Sequence, residues 1–195
     1  RRAVDEVADV VATLRLVADA AAGSAAVRVL TGPRWRLGAA DLTALWRRAR
    51  ALVGRSGEVP AGPRDIVAQA GPDADAACLA DAICDPGLAE AYSGAGYQRI
   101  RALADELTAL RGHLDHPVAD LVAEVRRVLG VDVELRASSG GTEQLDAFAD
   151  IVDGYAQHDV GGVHGLLAYL DVAQERENGL APADVVVDVA ADRHL

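Results

Sequence analysis

The stretch YQRIRALADELTALRGHL, residues 97–114, decides the fold class. Tyr97, Ile100, Leu103, Leu107, Leu110 and Leu114 recur at intervals of three and four, which places all six on one stripe of an α-helix. A half-buried strand would need alternation with period two, and none is present here. The helical period continues on both sides. Val4, Val7, Val11, Leu14 and Val17 predict an amphipathic helix over 3–19, and a short helix fits 25–30. That second helix is stopped by Thr31-Gly32-Pro33, because a residue before proline is pushed out of the helical region. Leu42, Leu45, Ala49 and Leu52 mark a third helix ending at Gly54. Short helices are expected near 64–70 and 75–84, and a turn at Asp85-Pro86-Gly87. Beyond the quoted stretch, Pro117 suits a first helical position, and Val118, Leu121, Val122, Val125 and Leu129 form the buried face that follows. Thr142 is a candidate N-cap for a helix over 143–157, and a last helix is expected over 163–177. The predicted fold is all-α, a multi-helix orthogonal bundle.

The end of the chain differs in kind. Asp184-Val185-Val186-Val187-Asp188-Val189 is short and β-branched, which predicts a terminal β-strand that needs a sheet beyond the helical region. Residues 1–183 are therefore expected to form one helical domain, with the Gly/Pro-rich 54–63 as an internal loop and 184–195 as the start of another domain. The absence of any Met fits a segment excised from a longer protein.

Hydrophobic residues make up 51% of the chain and aromatic ones only 4%, so the core has to be assembled from small and branched aliphatic side chains. No run of about 18 uncharged apolar residues exists, and Arg1-Arg2 is followed by acids rather than a signal core, so a cytoplasmic protein without membrane contact is expected. Cys78 and Cys84 are spaced for neither a zinc knuckle nor a dithiol motif.

The charge of −11 is unevenly spread. Residues 1–64 carry eleven Arg against six carboxylates, whereas 65–195 carry eight against twenty-four. All basic residues are Arg, with no Lys. A basic N-terminal third on an acidic chain suggests that this region meets a polyanion.

Within that third, the order is a helix containing Thr-Leu-Arg-Leu-Val, a short helix ending in Val-Leu-Thr, and Pro33-Arg34-Trp35-Arg36-Leu37-Gly38 opening a third helix at Asp41-Leu42. This resembles the start of accessory domain 2B in UvrD/Rep/PcrA-type superfamily 1 DNA helicases. There a Leu-Arg-Leu helix and a Val-x-Asn-x-Pro-x-Arg-Gly-Ile-Gly turn precede a helix with a similarly placed Leu. Pro33, Leu37, Gly38 and Leu42 fall on that pattern; Trp35 occupies the place of its Arg and Arg36 that of its first Gly. The resemblance is specific over 6–46 and is one of element order beyond.

It implies a regulatory domain that contacts duplex DNA and pivots against the motor domains of a parent helicase, and the all-Arg composition is congenial to the actinobacterial helicase–nuclease type. The residues implied as DNA-binding are Arg34, Trp35, Arg36, Leu37, Gly38, Arg47 and Arg48. The physical basis is that a tight turn at a helix N-terminus presents unpaired N–H groups and partial positive charge, to which flanking Arg side chains add phosphate contacts. The segment 184–195 would lead into the second motor domain, ahead of a Thr-x-His-x-x-Lys-Gly-Leu-Glu block. ATP and Mg²⁺ would belong to the parent. Here no Gly-x-x-x-x-Gly-Lys-Ser/Thr loop exists, so no cofactor, no metal and no catalytic residue is expected in this segment.

Other constellations read as structure. His113, Asp115 and His116 fall at a helix–helix turn, His164 beside glycines at a helix end, and Gly161-Gly162 lacks the preceding strand of a dinucleotide loop. Asp73, Asp75, Asp81 and Asp85 form an acidic face, and Trp46 is a core candidate. Two rival readings are a free-standing helical protein-interaction module without DNA binding, and an all-helical enzyme whose carboxylates are assembled from distant positions.

Overall fold

The computed structural model describes residues 3–53, 78–131, 143–157 and 161–179. Among these residues the secondary structure is entirely helical: α1 (Ala3–Ala18), α2 (Gly23–Thr31), α3 (Ala39–Leu52), α4 (Leu79–Cys84), a 3₁₀ turn (Ala89–Ala91), α5 (Gly94–Arg111), α6 (Val118–Leu129), α7 (Glu143–Ala156) and α8 (Gly162–Gly179). The loop 54–63, the helix expected near 64–70, the cap at Thr142 and the strand at 184–189 lie outside the described residues.

The quoted stretch folds as its spacing requires. Ile100, Leu103, Leu107 and Leu110 are all buried along one side of α5, while Tyr97 is half-buried. The helix begins three residues earlier than the apolar stripe because Ser93 caps it, its hydroxyl accepting the Gly96 N–H at 3.0 Å. It ends at Arg111 rather than Leu114. Pro117 is the N-cap of α6, one position before the first helical residue.

The largest departure from the sequence reading concerns α1. Its spacing predicts a one-sided helix, yet Val10, Ala12, Leu14, Leu16 and Val17 are all buried, as are Glu6 and Thr13. The cause is tertiary: α1 packs against α2, α5, α6, α7 and α8 and so forms the axis of the bundle. A helix buried on nearly all sides must be apolar nearly all round, and the second half of α1 is apolar apart from Thr13 and Arg15. Thr13 resolves its polarity locally by donating to the Asp9 carbonyl at 2.9 Å. One continuous apolar cluster runs from Val10 to Leu167, and each fully buried Leu or Ile in it contributes about 1.5–3 kcal/mol relative to exposure.

Helix α3 sits to one side and packs on α4, which in turn rests on α2 and α5. Its inner face is Leu42, Leu45, Trp46 and Ala49, whereas Leu52, the last residue of the expected stripe, ends the helix exposed. The N-terminus of α3 is locked to that of α5 by Asp41. Its carboxylate accepts the Ser93 backbone N–H at 2.6 Å and the Ser93 hydroxyl at 2.7 Å. This junction brings the 33–38 turn against the first turns of α5.

Candidate nucleic-acid interface

The turn between α2 and α3 is tightly determined. Gly32 leaves the helix with φ −59° and ψ 167°, and its N–H donates to the carbonyls of Arg28 and Val29 at 2.9 and 3.2 Å. A side chain there would begin 3.0 Å from the Arg28 carbonyl oxygen, so the position tolerates nothing larger than glycine without adjustment. Two further backbone bonds close the turn, Arg36 N–H to Gly32 O and Leu37 N–H to Leu30 O, both 2.8 Å. Within the turn, Trp35 and Leu37 are buried, Arg34 and Arg36 exposed.

Burial divides the nominated residues. Trp35 is 7% exposed and Leu37 6%, so both anchor the turn. Gly38 is the N-cap of α3 in ordinary extended backbone (φ −72°, ψ 160°), and a Cβ added there would meet nothing within 4 Å. The conformation glycine favours lies instead at Arg36, with φ +46°. A non-glycine residue in this region is strained by about 1 kcal/mol or more and persists only where its surroundings hold it. Three bonds do so: Arg36 N–H to Gly32 O, Arg36 Nε to Pro33 O at 2.8 Å, and Arg99 Nη1 to Arg36 O at 2.9 Å.

Arg34 is committed differently. It forms an ion pair with Glu106 of α5, and its guanidinium carbon lies 5.1 Å from the centre of the Trp35 ring. Arg48 belongs to another part of the surface: Nε donates to the Asp85 carbonyl at 3.0 Å and Nη2 to the Asp85 carboxylate. It thereby braces the turn at Pro86-Gly87, where the Tyr92 hydroxyl donates to Pro86 O at 2.9 Å. Burial pushes the Tyr92 phenol up to about 12, with Arg48 opposing the shift. Arg47 is exposed. At ~1.5 Å rise per residue it lies roughly 12 Å along α3 from Ala39, so Arg47 and the turn cannot hold one and the same phosphate.

The basic excess of the N-terminal third is thus substantially offset by folding. Arg15 pairs with Asp171 on α8, Arg28 with Asp9, Arg34 with Glu106 and Arg48 with Asp85. Among the described residues no carboxylate lies within ion-pair reach of Arg36 or Arg99. Arg99 was not signalled by the sequence, since it sits 63 residues from Arg36 on a helix recognisable only by its apolar stripe. Beside it, the open cleft between the turn and α5 is lined by Arg34, Trp35, Ala95, Gln98, Arg99 and Glu106, together with Ala102.

His113 and His116 have ring centres 4.9 Å apart at the α5–α6 turn, and no group of three or more potential metal ligands occurs among the described residues. Cys78 and Cys84 are free thiols, and burial raises Cys78 above the usual thiol range. No helix among the described residues is long and apolar enough to cross a membrane. No protein-family model matches the chain, and no curated protein matches it.

Proposed function

We propose that this chain is a duplex-DNA-contacting accessory domain of the 2B kind, part of an ATP-dependent UvrD/Rep/PcrA-type helicase. The observation that carries this reading is Arg36: an exposed cation held in a strained backbone conformation, at the place where the family pattern has glycine. Strain maintained by three hydrogen bonds at a surface position is the mark of a functional geometry rather than of packing. The helical bundle supplies a rigid support for the turn, and the Asp41–Ser93 lock fixes it against α5. Contact with the phosphate backbone gives affinity without sequence preference, which suits a domain that grips duplex ahead of a fork. In this reading the protein is cytoplasmic, its other partners are the motor domains, and ATP and Mg²⁺ are bound there, with no residue of this chain assigned to either.

The test is titration of a labelled duplex with the chain over a range of salt concentrations. Weak affinity independent of sequence is expected at low salt, falling as salt rises. Arg34→Ala combined with Arg36→Ala should flatten the salt slope by about one unit. A slope identical to that of the parent would refute the assignment of the turn.

A second reading, a helical protein-interaction module, is favoured by one feature. Ile151 on α7 and Tyr169 and Val172 on α8 are 42%, 52% and 48% exposed, leaving apolar side chains on the two helices. In the helicase reading the same residues are available to the motor domains. Substituting Tyr169 and Val172 by Ser should leave duplex binding intact in the helicase reading, whereas the interaction module predicts no duplex binding by the parent; loss of duplex binding on substitution would place the contact on α8.

A further inference from the structure

We infer that the phosphate-binding element is an arginine pair, Arg36 of the α2–α3 turn and Arg99 of α5, with Gln98 beside it, and that Arg34 is not part of it. The inference rests on the duplex-contacting reading above and specifies its site. Arg99 donates from Nη1 to the Arg36 carbonyl at 2.9 Å, so the guanidinium head of Arg99 is held at the backbone of Arg36, with its other nitrogens left to donate outward. Arg36 donates through Nε to Pro33 O, which turns its arm back over the turn and fixes it there. Both residues are exposed, and neither has a carboxylate within ion-pair reach among the described residues.

The contrast with Arg34 decides the assignment. Its charge is met by Glu106 and its plane lies near Trp35, so an incoming phosphate would have to displace an existing partner. Arg36 and Arg99 need no such exchange. Two neighbouring like charges repel, and the arrangement becomes favourable when an anion with several oxygens is shared between them. The small side chains Ala95 and Ala102 leave the cleft beside Arg99 open, and Gln98 lines it as a neutral donor. The occupant that fits is a nucleic-acid phosphodiester: singly charged, accessible from a convex duplex, and requiring no enclosed pocket. Half of the contact thus comes from the part of the chain whose overall charge is acidic.

The experiment uses the full chain and the labelled duplex, with binding followed by fluorescence anisotropy across a salt series and folding checked by circular dichroism. Arg36→Gln and Arg99→Gln should each flatten the slope of log affinity against log salt by about 0.9, the contribution of one phosphate contact. Arg34→Gln should leave it unchanged, and Arg99→Lys should retain it. Gln98→Glu, an exposed substitution that leaves the Arg99–Arg36 bond untouched, should weaken binding by adding to the cleft a carboxylate that, unlike Glu106, has no arginine partner there, and it remains informative if Arg99→Gln fails to fold. A parental slope in Arg99→Gln and undiminished binding by Gln98→Glu, beside a flattened Arg36→Gln, would overturn the pair while leaving the turn as the DNA contact. A flattened Arg34→Gln would overturn the exclusion of Arg34. No duplex binding by the parent at low salt would overturn both this site and the reading on which it rests.

Discussion

Replacing Gly96 by alanine should destabilise the fold, although alanine is the better helix former. A Cβ at this position would lie 2.2 Å from Asp41 Oδ2, 2.4 Å from Cγ and 2.8 Å from Oδ1. All three distances are far inside van der Waals contact. The carboxylate has little room to retreat, since Asp41 is 8% exposed and is held by the N–H and hydroxyl of Ser93. Overpacking costs about 1–3 kcal/mol, and weakening a hydrogen bond to a charged acceptor about 1.5–3 kcal/mol. The helix preference of alanine returns about 1 kcal/mol. The net loss is about 3 kcal/mol, which for a chain of this size lowers Tm by about 6–12 °C. Gly94→Ala provides the control two residues away, because a Cβ there meets nothing within 4 Å. It should be neutral or stabilise by up to about 1 kcal/mol. Urea unfolding followed by far-ultraviolet circular dichroism measures both. Combining Gly96→Ala with Asp41→Ala should recover at least about 1 kcal/mol as coupling between the two sites. Equal stability of Gly96→Ala and Gly94→Ala, or strict additivity with Asp41→Ala, would refute the argument that the α3–α5 lock requires glycine at this position.

The buried Tyr92 phenol predicts an alkaline limb of instability. Its folded-state pKa of about 12 lies above the ordinary value near 10, so both states are protonated below pH ~10 and the contribution to stability is complete there. Between ~10 and about 12 the unfolded phenol ionises first, and stability falls by about 1.4 kcal/mol per pH unit. Tyr92→Phe should remove that share of the slope while losing about 1 kcal/mol at neutral pH with the bond to Pro86; urea midpoints across pH report both. Trp46 is 2% exposed, and its indole N–H finds no acceptor among the described residues. Trp46→Phe should therefore cost less than about 1.5 kcal/mol, against about 3–5 for Trp46→Ala; a loss of similar size in both would show that the N–H is bonded. The Arg15–Asp171 pair joins α1 to α8 with side chains 36% and 48% exposed. Asp171→Asn should change stability by no more than about 1 kcal/mol in thermal unfolding, as expected for a solvent-screened pair.

The helical class and most helix positions are determined by the sequence alone, because they follow from local periodicity and stop signals. The stripe from Ile100 to Leu110, the break at Gly32-Pro33 and the inner face of α3 are each encoded within a short stretch of sequence. The burial of Trp46 follows from the same periodicity. The turn at 33–38 could also be located from sequence, but not its internal division. Trp35 and Leu37 face inward and Arg34 and Arg36 outward because the chain folds back here in a turn closed by the Arg36 N–H to Gly32 O and Leu37 N–H to Leu30 O bonds, with Arg36 left-handed. Only the tertiary structure decides the rest. The central place of α1 depends on five neighbours, which its own apolar residues cannot specify. The charge excess of residues 1–64 is a sum over sequence, whereas neutralisation depends on distance in space; Asp171 and Glu106 reach Arg15 and Arg34 only once α8 and α5 have packed. Arg99 comes to Arg36 in the same way, across 63 residues, and no local spacing encodes a contact that packing of the intervening helices creates.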